Sequence, residues 1–267
     1  MSWSLPPEIF DLIIDQLHDE PTTLKACCVV SKSWIPRTRS HLFAHVKFGV
    51  IARPVELWMK AFPDPSNSPA HHTRRLTIRY LPAITTTDAS VAGWIRTFRS
   101  VVHLHFEYVT WGAHQTPLAP FYGFSHTVRS LRLAFTSFEV FDLICSFPLL
   151  EDLTFVSLLE DLASVSLYAS RWSAPSTSPR LTGSLDLSAI GGIRSAARRL
   201  SDFPGGLRFT KITLSCLGDD LESTTHLVSR CSDTLESLDI CCFLMSAFPP
   251  ASIIKQYLTF SHGHSHT

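Results

Sequence analysis

The residues with the clearest spacing for chemistry are histidines. His262, His264 and His266 alternate, and His71 and His72 are adjacent. Imidazole nitrogens bind transition metals, but no acidic residue or cysteine lies near the alternating group to complete a site. We therefore interpret 262–266 as part of a frayed tail. We predict no metal ion and no other cofactor for this chain.

The sequence carries no enzyme signature. Both the Gly-x-Ser-x-Gly motif of a serine nucleophile and the glycine-rich loop that holds phosphate are missing. The acidic pairs at 151–152 and 160–161 lie beside predicted strands or helices, where solvated edges are expected rather than paired catalytic carboxylates. A basic helix face could hold an acidic peptide or a phosphate, although a solvent-facing surface is the default; its residues are Arg194, Arg198 and Arg199. We predict a protein that is not an enzyme.

Composition narrows the class of protein further. The seven cysteines include no Cys-x-x-Cys pair, and most lie in apolar runs, so we expect buried thiols in a reducing compartment.

The formal net charge is zero, which gives no electrostatic reason to expect binding to nucleic acid or to an anionic membrane. No apolar run reaches the ~18 residues of a membrane span, and the first residues lack a signal-peptide pattern. We expect a cytoplasmic or nuclear protein with one large or two modest domains.

Three short helices are expected between 5 and 46. The first begins at Pro6 or Pro7, where proline suits the first turn, and ends near Asp19. Its apolar residues recur at helical spacing: Ile9, Leu12, Ile13 and Leu17 form a stripe that Phe10 and Ile14 widen. The second helix runs from a cap at Thr22 or Thr23 to Trp34 and is buried on most sides. The third runs from Arg37 to Val46.

The anchors in this segment resemble those of an F-box. Leu5-Pro6-Pro7-Glu8-Ile9 is similar to the Leu-Pro-x-Glu-Ile that opens the family, Leu42-Phe43 is similar to its closing pair, and Ser31 stands where cysteine is most common. F-box domains bind the Skp-type adaptor of cullin–RING ubiquitin ligases, so the resemblance implies a substrate-recognition subunit of an SCF-type ligase. The residues it assigns to adaptor binding are Leu5, Pro6, Ile9, Ile13, Leu17, Leu24, Val30 and Trp34. Since ~40 residues bury too little surface to be stable alone, a partner helix would complete this unit.

A short strand pattern, apolar-x-apolar, recurs through the rest of the chain. It occurs at 76–78, 104–106, 131–133, 153–155, 185–187, 212–214 and 238–240, with starts 22 to 32 residues apart. Alternation of polar and apolar residues predicts strands with one buried face. Helical patterns lie between them at 88–98, 137–147, 193–203 and 221–231.

A strand–helix unit of this length resembles a leucine-rich repeat. The resemblance implies an α+β or α/β solenoid, in which neighbouring units share a core and parallel strands line the concave side. The Asn or Cys that usually follows the strand is mostly missing. The alternative is an α/β layer domain, although short, half-polar strands favour the solenoid.

The expected organisation is an F-box at 1–47, a connector at 48–70, a leucine-rich-repeat-like domain at 71–250 and an atypical or frayed tail at 251–267. We expect an exposed insertion at 171–179. Because no closing cap repeat is visible, we also expect that the C-terminus is truncated or mis-spliced.

The polar residue at the middle of each strand is predicted to face outward and to contact an unknown protein substrate. These residues are Thr77, His105, Arg132, Thr154, Asp186, Thr213 and Asp239, basic in the first half and acidic in the second. The alternative function is a leucine-rich-repeat scaffold protein with no ligase role, in which the N-terminal helices only cap the repeats.

Overall fold

The chain has a mixed α/β fold in which one open sheet follows the order of the sequence. The structure is a computed structural model that describes residues 6–49, 54–79, 93–109, 119–136, 140–158, 179–188, 193–217, 221–244 and 254–261. Within these ranges, eight parallel strands pair each with the next, and a ninth is antiparallel to the eighth. The strands are β1 His45–Phe48, β2 Arg75–Arg79, β3 His103–Glu107, β4 Ser130–Thr136, β5 Asp152–Leu158, β6 Leu181–Leu187, β7 Leu207–Leu217, β8 Ser237–Leu244 and β9 Ile254–Ser261.

Helices precede the sheet and connect some of its strands. The α-helices are α1 Pro7–Gln16, α2 Pro21–Val30, α3 Ile35–Leu42, α4 Pro54–Ala61, α5 Val140–Ile144, α6 Ile193–Ser201 and α7 Leu221–Ser229. Short 3-10 helices occupy Lys32–Trp34, Pro65–Asn67, Pro69–His72 and Ala119–Phe124. None of the helices in the described ranges has the length and apolarity needed to cross a lipid bilayer.

Proline sets the starts of the first three helices. Each has Pro at its first or second position, where the missing N–H has no intrahelical partner to lose. The expected cap of α2 at Thr22 or Thr23 is therefore wrong, because the helix already begins at Pro21. The third helix is also shorter than expected: it ends at Leu42, and His45–Phe48 pairs with β2 as a strand instead.

The seven predicted strands are confirmed, and they share one register. Their first apolar residues are successive Cα partners and are buried or half-buried: Leu76, Leu104, Leu131, Leu153, Leu185, Ile212 and Leu238. Two residues further on, a second apolar row is aligned in the same way: Ile78, Phe106, Leu133, Phe155, Leu187, Leu214 and Ile240. Because strand side chains alternate between faces, these rows form the buried face of the sheet.

Helices and connectors cover that buried face. The helical predictions at 193–203 and 221–231 are confirmed by α6 and α7, and 137–147 is confirmed in part by α5. In α6, Ala196, Ala197 and Leu200 point into the core. Of the helix predicted at 88–98, residues 88–92 lie outside the described residues and 93–95 are helical, so the prediction is confirmed in part.

The segment predicted as a connector belongs to the core of the sheet. In α4, the Trp58 ring packs edge-on against Phe43 and Phe48 and tilted against Phe98, with ring centroids 5.4 to 6.0 Å apart. Ala70 is also buried in the same cluster. The sheet therefore begins at β1, ahead of the boundary expected at 71.

The three N-terminal helices have a small core of their own. Ile14, Leu24 and Cys27 are buried, yet they lie outside the continuous apolar cluster that runs from Val46 to Cys231. The buried residues of α1 and α2 thus lie outside the apolar cluster of the sheet, whereas α3 also contacts the 3-10 helix Pro69–His72, whose Ala70 belongs to that cluster.

Part of the segment predicted as an atypical or frayed tail at 251–267 is a regular strand. Residues 254–261 pair antiparallel with β8 along its whole length. The alternating histidines His262, His264 and His266 lie outside the described residues, as does most of the expected insertion at 171–179. The expected burial of thiols is met at Cys27, Cys145, Cys231 and Cys241, and burial raises the pKa of the Cys231 thiol.

Two glycines with positive φ allow a direct test of this geometry. Gly183 (φ +77°) lies at a register shift in β6, where an added Cβ would overlap the Glu151 carbonyl, whereas Gly206 (φ +78°) has open space around it. We expect Gly183→Ala to lower the free energy of unfolding by about 3 kcal/mol or more. The control Gly206→Ala should lower it by only about 1 kcal/mol. Urea unfolding of both variants measures this, and equal losses would contradict the register of β6.

Candidate functional site

The seven residues predicted to bind a target lie in one row across the sheet. Thr77, His105, Arg132, Thr154, Asp186, Thr213 and Asp239 are successive Cα partners from β2 to β8. Lys47 of β1 extends the row at its first end. We call these eight residues the polar row. Since neighbouring strands are ~4.8 Å apart, the row is a continuous strip of side chains.

Members of the polar row differ in accessibility. Arg132 is exposed, and His105, Thr154, Asp186, Thr213 and Asp239 are half-buried. Thr77 is only 3% exposed, and its Oγ1 lies 3.1 Å from His45 Nε2. Thr77 therefore offers little surface to a partner, so the expectation that it contacts a target is not supported.

A pocket opens beside the row, toward the carboxyl ends of strands β2 to β5. Its volume is about 390 Å³, and it is lined by Arg79, His105, Glu107, Tyr108, Arg132, Ala134, Phe135 and Val156. We call it the β3–β4 pocket, because six of these residues belong to or directly follow these two strands. A pocket of this size lies within the range of ligand-binding cavities, ~300–1,000 Å³.

An acidic side chain inside the pocket is already paired. Glu107 forms an ion pair with Arg79, and its Oε1 lies 3.3 Å from His105 Nε2. Burial pushes the pKa of Glu107 up, but the Arg79 hydrogen bond and the charges of His105 and Arg79 outweigh it and lower that pKa. Glu107 is thus a carboxylate at neutral pH.

His105 is held in its neutral form. Burial lowers its pKa to about 4; the charge of Glu107 opposes this shift, and Arg132, Arg79 and Lys47 add to it. The buried Nε2 makes no hydrogen bond within the described part of the chain. At neutral pH the imidazole therefore offers polarity but no charge to a ligand.

Arg132 is the cation of the pocket without an acidic partner. Arg79 is bonded to Glu107, whereas no acidic side chain of the described residues pairs with Arg132. Counting only these side chains, the pocket carries one unmatched positive charge. It can therefore attract an anionic group.

Two strained aromatic residues form one wall of the pocket. Tyr108 and Phe135 both have φ 54°, a left-handed conformation that costs ~1–3 kcal/mol for a residue other than glycine. Their rings stack with centroids 4.4 Å apart and planes within 2°. The Tyr108 amide donates to the Ala134 carbonyl at 2.8 Å. Strain of this kind is most common at functional sites.

The second candidate surface is apolar and lies on the N-terminal helices. In α1, Ile14 is buried, whereas Ile9, Leu12 and Ile13 are 40%, 58% and 48% exposed. At the end of α2, Val29 and Val30 are 85% and 65% exposed. The expectation that α2 is buried on most sides is therefore wrong. We call these five residues the exposed helical residues.

The residues that the F-box resemblance assigns to adaptor binding are divided by the structure. Pro6, Ile9, Ile13 and Val30 are exposed, and Leu17 and Trp34 are half-buried. Leu24 is 1% exposed, so it supports the helices and is not available to a partner. Leu5 lies outside the described residues. The Trp34 ring packs against Phe10 at 5.2 Å between centroids.

An ion-pair cluster that the sequence did not reveal holds α1 against α3. Asp15 accepts hydrogen bonds from Arg37 Nε at 2.5 Å and lies 2.8 Å from His41 Nε2. The Arg37 hydrogen bond, and then that of His41, lowers the pKa of Asp15 to about 2. Asp15 thus fixes the angle at which α1 presents its exposed side.

The remaining chemical candidates stay peripheral. The rings of His71 and His72 lie 3.9 Å apart, but the described residues contain no group of three His, Cys, Asp or Glu that could hold a metal ion. Arg194 and Arg198 are exposed on α6, and the Arg199 guanidinium carbon lies 5.8 Å from the Phe141 ring centroid.

No protein-family model matches the chain, and no curated protein is significantly similar to it. The F-box and leucine-rich-repeat resemblances therefore stay predictions.

The Asp15 cluster predicts a pH dependence at acidic pH. Since the folded chain lowers the pKa of Asp15 from 3.8 to about 2, its stabilising effect is present above pH ~4 and is lost as the pH falls to ~2. We expect Asp15→Asn to be less stable than wild type at pH 5, with a much smaller difference at pH 2. Thermal unfolding followed by circular dichroism measures this. The control is Asp202→Asn, at an exposed carboxylate directly after α6; a difference at pH 2 as large as that at pH 5 would contradict the cluster.

Burial of His105 in its neutral form predicts a second pH range over which the stability of the protein changes. The unfolded chain binds a proton near the ordinary value of 6.5, whereas the folded chain resists protonation until about 4, so stability falls as the pH drops from ~6.5 to ~4. We expect His105→Gln to weaken this fall. The matched variant His103→Gln, exposed on the same strand, should keep the wild-type profile. Identical profiles for all three proteins would show that His105 is not buried in its neutral form.

Proposed function

We propose that the protein is the substrate-recognition subunit of an SCF-type ubiquitin ligase. In this proposal the N-terminal helices form an F-box that binds a Skp-type adaptor, and the sheet holds a target protein. The observation that carries the proposal is the group of exposed helical residues. Burying such an aliphatic side chain contributes about 1.5–3 kcal/mol, so leaving five of them in water favours a partner that covers them.

The separate core of the three helices supports the same proposal. A unit of ~40 residues buries too small a fraction of its surface to be stable without help. Its interior, around Ile14, Leu24 and Cys27, is not shared with the sheet. A partner helix packed on α1 would supply the missing burial.

The junction between helices and sheet supports a receptor that positions its target. The Thr73 hydroxyl donates to the Phe43 carbonyl at 2.9 Å, and the amides of Arg74 and Arg75 donate to the Ala44 carbonyl at 2.9 Å. The end of α3 is thus tied directly to the sheet. A fixed junction suits a protein that must hold one partner at a set place relative to another.

The sheet supports the leucine-rich-repeat part of the proposal. Eight parallel strands in chain order, with an apolar row covered by helices and a polar row in part accessible, are typical of a solenoid with a concave strand face. A doubly covered α/β layer would instead bury both faces of its parallel sheet. The exposed Arg132 favours the solenoid.

Adaptor binding can be tested with a matched pair of surface variants. We expect a purified Skp-type adaptor to capture wild type, and the double variant Ile9→Asp plus Ile13→Asp to bind at least ~tenfold more weakly, since charges cannot replace buried aliphatic groups. The control Leu57→Asp alters a leucine on α4 that is equally exposed, at 55%, and should bind like wild type. Failure of wild type to bind, or full binding by the double variant, would overturn the proposal and favour a scaffold protein with no ligase role.

A further inference from the structure

We propose that the β3–β4 pocket binds a carboxylate side chain, Asp or Glu, of an extended segment of the target protein. Arg132 makes the charge contact, and the Tyr108–Phe135 pair makes the apolar contact. This inference rests on the proposed function only in taking the bound segment to belong to a target of the ligase. Binding at the pocket does not depend on the adaptor.

The charges of the pocket side chains favour a ligand group that carries a single negative charge. Arg132 is exposed and has no acidic partner in the described part of the chain, while Glu107 stays ionised beside Arg79. A planar guanidinium matches a carboxylate with two parallel hydrogen bonds. A phosphate dianion would place twice the charge next to the Glu107 carboxylate, and among the described side chains that line the pocket only Arg132 is a cation without an acidic partner. The ligand is therefore a carboxylate and not a phosphoryl group.

The aromatic wall adds an apolar requirement. Tyr108 is 38% exposed and Phe135 is half-buried, and their stacked rings line the same cavity as Arg132. The backbone holds both residues in a strained conformation, so the stack is preformed and loses little freedom on binding. An apolar or aromatic residue beside the acidic one would cover these rings.

Asp186 of the polar row supplies a second, negative charge at a defined distance from Arg132. Asp186 lies two strands from Arg132 along the row, which is ~10 Å at the usual strand separation. A segment in the polyproline II conformation advances ~3.1 Å per residue and completes a turn every three residues. A residue three positions from the carboxylate at Arg132 therefore faces the sheet on the same side and reaches Asp186, where a lysine or arginine fits.

Synthetic peptides can test this directly on the full chain. The probe is Gly-Ser-Lys-Gly-Gly-Glu-Phe-Gly-Ser, compared with peptides in which Glu is replaced by Gln or by phosphoserine, each passed over immobilised protein in surface plasmon resonance. We expect the Glu peptide to bind about tenfold more tightly than the Gln peptide, since a charge-assisted pair is lost. The phosphoserine peptide should bind no more tightly than the Glu peptide.

Variants of the protein separate the pocket from general charge effects. Arg132→Glu should abolish the preference for Glu over Gln, whereas Arg208→Glu, at an exposed arginine of β7 outside the pocket, should keep it. Equal binding of the Glu and Gln peptides, tighter binding of the phosphoserine peptide, or an unchanged preference in Arg132→Glu would each overturn the inference.

The same proteins keep the two proposals distinguishable. Arg132→Glu should still bind the Skp-type adaptor as wild type does, because Arg132 lies on the sheet and not on α1 or α2. Adaptor binding without any preference for the Glu peptide would overturn the pocket alone. A preference for the Glu peptide without adaptor binding would support the pocket and overturn the ligase role.

Discussion

The parallel register of the sheet is the constraint on which the rest of the molecule depends. It aligns two apolar rows on one face and the polar row between them on the other, from β2 to β8. A slip by one residue would exchange the two faces of a strand, exposing leucines such as Leu131 and burying Arg132. No strand–helix unit can bury its apolar face alone, so the register is maintained by every neighbour at once.

The β3–β4 pocket shows how this register produces a site. Arg79, Glu107 and Arg132 belong to three successive strands, and only the alignment of those strands brings them to one cavity. The strain at Tyr108 and Phe135 is tolerated because the strands on both sides fix the backbone. The N-terminal helices differ in kind: Asp15, Arg37 and His41 hold α1 against α3, and several apolar side chains of α1 and α2 stay exposed.

Much of the sheet could be predicted from the sequence, because a buried row repeats every 22 to 32 residues and the alternation fixes which side chains share a face. The first strand could not be separated from the helix before it, because Val46-Lys47-Phe48 has the strand pattern but lies only four residues after Leu42, the end of α3. The pocket could not be predicted, because a positive φ at an aromatic residue leaves no compositional trace. The sequence shows only the equivalence of the two aromatic positions: Tyr108 and Phe135 each lie four residues after the first leucine of their strand.

Because the sheet packs on itself while the helices stay partly uncovered, we propose that a second polypeptide covers the exposed helical residues. Hydroxyl-radical footprinting of the intact chain, with and without a purified Skp-type adaptor, measures the accessibility of these side chains directly. We expect the adaptor to lower oxidation of Ile9, Leu12, Ile13, Val29 and Val30, which are 40% to 85% exposed in the free chain, and to leave oxidation of Leu57 unchanged. Equal oxidation of all six residues with and without the adaptor would contradict it.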